Sequence, residues 1–73
     1  MKTNALYKAV DKMDDTLSFF LVNEHGVAIS EWDTTLSDAT FAQTVRARTD
    51  LFAYDDITQF KARAKSPILI AEW

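Results

Sequence analysis

The sequence predicts an α+β fold: one small domain over residues 1–73, with an antiparallel β-hairpin and two helices packed on one of its faces. Three observations predict it. Two runs rich in β-branched and aromatic residues flank Gly26, the single glycine; Ser37 and Asp38 open a helical pattern; and a second helical pattern follows Asp55 and Asp56 and stops before Pro67, the single proline. A chain of 73 residues has no material for two cores, so it is one domain.

The N-terminal segment admits two readings. Leu6, Val10 and Met13 have helical spacing over residues 5–12, whereas a strand from Leu6 to Val10 turning at residues 12–15 would extend the hairpin into a three-stranded sheet.

The hairpin itself runs from Thr16 to Trp32. Asn23 and Gly26 bracket Glu24 and His25 in a pattern suited to a type I turn closing into a glycine bulge, where Gly26 takes positive φ without a Cβ penalty. That turn sets Asn23 opposite Val27, Leu21 opposite Ile29 and Phe19 opposite Glu31. One face then carries Leu17, Phe19, Leu21, Val27 and Ile29; the other carries Ser18, Phe20, Val22, Ala28, Ser30 and Trp32.

The first helix is expected over residues 38–48. Ser37 accepts from a free backbone N–H, Asp38 suits the positive helix end, Leu36 and Phe41 form a staple, and Phe41 and Val45 share a face. The second starts near Asp55 and Asp56, carries Ile57, Phe60 and Ala64 on one side, and ends at Ser66 and Pro67, since proline lacks the N–H. Residues 68–71 read as a short buried strand, and residues 51–54 as an apolar linker able to pack.

Composition narrows the function. Cysteine is absent, which excludes disulfides and thiolate metal sites, and no apolar run near the start resembles a signal peptide or reaches bilayer length. The expectation is a complete cytoplasmic chain without a membrane partner. Net charge is −3, against nonspecific binding of nucleic acid. The charge is also uneven: six acids and no Lys or Arg lie between Asp14 and Asp38, and five cations (Arg46, Arg48, Lys61, Arg63, Lys65) against three acids lie between Arg46 and Lys65.

Catalytic candidates are weak. His25 is the only histidine and sits at the hairpin tip, where an exposed turn residue is expected in place of a base in a shaped pocket. Asp14-Asp15 and Asp55-Asp56 are adjacent pairs whose side chains diverge, and residues 11–15 lack calcium-loop spacing. One glycine excludes phosphate-cradling loops. The two helices are separated by more than the roughly three- to four-residue turn of a helix-turn-helix, and the second opens with two aspartates. Neither an enzyme nor a cofactor is expected.

The remaining signal is the second hairpin face. Phe20, Val22 and Trp32 could be lidded by the chain ends; left open, they form an aromatic protein-contact surface rimmed by Glu24, Glu31 and Asp33. The expected function is a small regulator or inhibitor docking on a larger machine, such as RNA polymerase or a defence nuclease, in the manner of small phage or plasmid proteins. The rivals are a nucleic-acid-binding regulator using the five cations as one patch, and an acidic mimic of DNA.

Overall fold

The computed structural model describes every residue except Met1, Thr49 and Phe52, so Phe52, within the apolar linker, lies outside the described residues. The chain runs β1 (Ala5–Asp11), β2 (Thr16–Asn23), β3 (Gly26–Glu31), α1 (Asp38–Ala47), α2 (Thr58–Arg63) and β4 (Ala64–Glu72). The strands form one four-stranded antiparallel sheet in the order β3-β2-β1-β4, which makes this an α+β domain.

The N-terminal segment is a strand. β1 lies in the middle of the sheet and is apolar on both sides: Leu6 joins one core cluster, while Tyr7 and Ala9 join the other. A strand buried on both faces loses simple alternation, which is how Leu6 and Val10 came to mimic helical spacing. Four residues, 12–15, connect β1 to β2, with Asp11 opposite Thr16 and Asp15 at φ 59°.

The β2–β3 register differs from the expected one by a single residue. Asn23 pairs with Gly26, Val22 with Val27, Leu21 with Ala28 and Phe20 with Ile29, leaving only Glu24 and His25 in the loop. A slip of one residue turns a whole strand over. Val27 and Ile29 therefore pack with Phe20 and Val22, while Ala28 and Trp32 join Phe19 and Leu21. Gly26 does take a positive φ, 133°, and a Cβ there would lie 2.2 Å from the carbonyl oxygen of Asp55. Asp55 is not a helix start; its N–H and carbonyl bond the carbonyl and N–H of Val27 at 2.9 and 3.0 Å.

The helices lie on opposite faces of the sheet and not on one. Phe41 of α1 stacks on Trp32 with ring centroids 4.0 Å apart and meets Phe19 edge-on at 5.4 Å. Phe60 of α2 packs against Tyr7 at 4.8 Å and Phe20 at 5.9 Å, from the other side. Two helices are required because both faces of the sheet are apolar. The first begins as expected, with the Ser37 hydroxyl accepting from the Thr40 N–H at 3.2 Å. The second is only six residues long, starts past Asp56, whose carboxylate accepts from the Thr58 N–H, and buries Phe60 only in part.

Pro67 does not end α2. The helix has already stopped at Arg63, and Pro67 lies inside β4 beside Ser66, which has φ 52°. Proline belongs on an edge strand, where its missing donor costs least. The expected short buried strand at residues 68–71 is a nine-residue edge strand whose pairing with β1 is interrupted by two register shifts. Asn4 and Trp73 exchange backbone hydrogen bonds at 2.8 and 3.1 Å and draw the two ends of the chain together.

Candidate functional site: the open edge of strand β4

The expected aromatic patch does not form. Phe20 is fully buried under α2, and Trp32 is 5% exposed under Phe41 on the opposite face, so the two residues never share a surface. Val22 is half-buried in the cluster with Phe20. The physical reason is the unexpected two-sided cover: with β4 and β1 widening the sheet and one helix on each face, both sides are shielded. Glu24, Glu31 and Asp33 are exposed as the sequence suggests, but they do not rim one surface. Glu24 sits in the β2–β3 loop, whereas Glu31 ends β3 opposite Ser18, towards the other end of the sheet.

Local roles account for other charged groups. The Asp33 carboxylate accepts from the backbone N–H and hydroxyl of Thr35, which hold its pKa below the ordinary carboxylate value. Asp14 accepts likewise from Thr16. Lys8 donates to Asp38 at 3.0 Å and lies 4.9 Å above the Trp32 ring. The five cations are scattered in the same way. Arg48 makes a forked pair with Asp50 at 2.9 and 2.8 Å, Arg46 leans over the Trp73 ring at 6.0 Å, and Arg63 is bound to Asp11. Arg46 and Lys61 belong to helices on opposite faces, so no single basic patch is assembled.

Asp11 is the one buried carboxylate of the described residues, 2% exposed at the end of β1. The Arg63 guanidinium grips both its oxygens, with Nε donating at 3.2 Å, and the Met13 N–H adds a third bond at 3.0 Å. The Arg63 hydrogen bonds, foremost, hold its pKa below the ordinary value against the opposing effect of burial. This pair locks α2 to the β1–β2 turn, with both carboxylate oxygens engaged within the fold. It is structural.

His25 is at the exposed hairpin tip, stacked beside Tyr54 at 6.1 Å, with the Glu24 carboxylate 3.6 Å from Nε2. An open depression of about 270 Å³ beside it is lined by Asn23, Gly26, Asp56 and Ile57 as well as the two loop residues. Among the described residues no group of three or more His, Asp or Glu side chains is placed to hold a metal ion, and no helix is long and apolar enough to cross a membrane.

The least satisfied surface is β4. It is the last strand of the sheet, and among the described residues nothing pairs with its outer side. Ile68 is 60% exposed and Leu69 47%, two of the four large apolar side chains so exposed among the described residues. Further along β4, against α1, a groove of about 260 Å³ is walled by Ala39, Ala42, Gln43 and Arg46 and by Ile70, Ala71, Glu72 and Trp73. An unpaired strand edge offers a row of N–H and C=O groups to an extended chain, and apolar side chains on it add burial. The opposite edge is less available: β3 is shorter, and Val27 is already engaged by Asp55. Sequence reading missed this site because residues 68–71 look like any buried strand; Pro67 was the one signal of an edge.

No family model, curated protein or solved structure matches this chain.

Proposed function

We propose that this chain is a non-catalytic protein-interaction module that regulates or inhibits a larger macromolecular machine, and that it engages protein by strand pairing along β4. One observation carries the reading: an outermost strand presents Ile68 and Leu69 to solvent, one towards each face of the sheet. Solvent-exposed aliphatic pairs on an open edge favour association, and monomeric domains usually blunt such edges. Lys65, Ser66 and Pro67 blunt the first part of β4, leaving residues 68–72 open. The acidic composition and the absence of an assembled basic patch favour a protein partner over nucleic acid.

The test is capture from lysate with wild type, Leu69→Lys and Trp32→Phe side by side. Loss of the captured protein with Leu69→Lys alone supports the reading; equal capture by wild type and Leu69→Lys removes β4 as the contact.

A further inference from the structure

We infer that a partner strand docking on β4 seats a large apolar side chain in the groove between β4 and α1 and sets a carboxylate against Arg46; this rests on β4 being a docking edge and names the chemistry of what docks there. An added strand gains affinity from backbone hydrogen bonds and selectivity from where its alternate side chains fall. The two faces of β4 differ in what they offer. Lys8 opposes Ile68 and reaches Asp38 and the Trp32 ring, so Ile68 lies on the α1 side. Ile70, Ala71 and Trp73 pack against the core cluster of that same side. There the groove of about 260 Å³ opens between Ala39 and Ala42 of α1 and Ile70 and Trp73, room for one leucine or phenylalanine side chain.

Charge selects the rest of the partner. Arg46 stands on the groove wall without a carboxylate: the ion pairs of the described residues join Lys8 to Asp38, Arg48 to Asp50, Arg63 to Asp11 and His25 to Glu24. Its guanidinium lies over the Trp73 ring at 6.0 Å. Asp38, next to Ala39, is taken by Lys8. Glu72 borders the groove, but it opposes Ala5, in the row that runs through Val22 on the α2 face, so its side chain belongs to the other side of the sheet. A guanidinium beside apolar walls offers an incoming carboxylate two parallel N–H bonds. Residues two apart on a strand share a face. The complementary segment is therefore an extended one with Leu or Phe two positions from an Asp or Glu, and a basic residue in the acid's place is repelled. The net charge of −3 opposes an acid at long range, so this selection acts at contact.

The test titrates a blocked pentapeptide, Thr-Leu-Thr-Asp-Thr, into the isotope-labelled whole chain, beside the same peptide with Lys in place of Asp. Amide shifts concentrated at residues 39–46 and 68–73 are expected, with a Kd of about 1 mM for the Asp peptide and binding about tenfold weaker for the Lys peptide. Arg46→Glu reverses that order, the Lys peptide then binding about tenfold better than the Asp peptide. Ala39→Leu fills the groove and weakens the Asp peptide about tenfold while keeping the wild-type order. Both positions are exposed, so circular dichroism should be unchanged. No shift up to about 10 mM peptide, equal binding of the two peptides, or an Arg46→Glu variant that keeps the wild-type preference overturns the inference. Groove shifts that grow with the chain's own concentration in the absence of peptide assign the groove to a second copy and overturn it as well. Capture from lysate that is lost with Leu69→Lys and unchanged with Arg46→Glu sinks the groove and spares the docking edge; charge-ordered peptide binding beside equal capture by wild type and Leu69→Lys supports the groove's chemistry and sinks the edge as the contact.

Discussion

At the scale of the residue, two positions govern whether the sheet closes. Gly26 is required twice over: its φ of 133° is open to glycine almost alone, and a Cβ would stand 2.2 Å from the Asp55 carbonyl oxygen. Gly26→Ala is expected to cost about 3 kcal/mol in urea unfolding. The same substitution should strip hydrogen-exchange protection from Val27, whose amide bonds Asp55. Asp11 is the other. Its carboxylate is buried but shallow, paired with an Arg63 side chain that is 23% exposed, so Asp11→Asn should cost about 2 kcal/mol at pH 7, below the usual loss for a fully buried pair. The sign with pH follows from the lowered folded-state pKa. The contribution is complete above the unfolded-state value of 3.8 and is lost as pH falls below it towards the folded-state value. Asp33, Asp50 and Asp56 shift in the same direction, so wild type softens in acid by more than one group. Asp11→Asn should flatten that acid-side slope in part, which urea titrations between about pH 2 and pH 5 would measure.

Elements show where local pattern sufficed and where it did not. The start of α1 was legible because its determinants are local: a Ser37 cap, an acid in the first turn, and Phe41 and Val45 spaced to face the sheet. The turn of β2 into β3 was legible too, since Gly26 has no competitor in the chain. The register was not. Both faces of the hairpin are apolar, so hydrophobic alternation cannot choose between pairings one residue apart, and contact with Asp55, 29 positions after Gly26, decides. The short α2 makes the point differently. Six residues are too few to be stable as an isolated helix, and this one is held by Phe60 on the far side of the sheet and by the Arg63 pair. Phe60→Ala should therefore cost about 2 kcal/mol in thermal or urea unfolding and uncover Phe20, read as a change in near-ultraviolet dichroism.

For the whole molecule, the division of helices between the two faces is the decisive fact. It buries Phe20 and Trp32 in separate clusters and so removes the contact surface that the sequence suggested. It also leaves β4, on the outside of the sheet, with two neighbouring large apolar side chains, Ile68 and Leu69, in contact with water. Partner capture that survives Trp32→Phe and fails with Leu69→Lys is the outcome this architecture predicts. The candidate site was illegible for a plain reason: whether a run such as residues 68–71 is central or outermost depends on which strand lies beside it, and that neighbour, β1, is 60 or more positions away along the chain.

What the sequence determined by itself was the class of fold, the turn at Gly26, the first helix with its cap and the lack of any recognisable catalytic pattern, because each of these rests on residues close together in the chain. Tertiary structure alone decided the register of β3, the strand character of the N-terminal segment, the placement of α2 and the exposure of β4. Those outcomes depend on contacts between distant segments competing for the same apolar faces, and a one-residue slip or a neighbouring strand changes which side chains reach solvent.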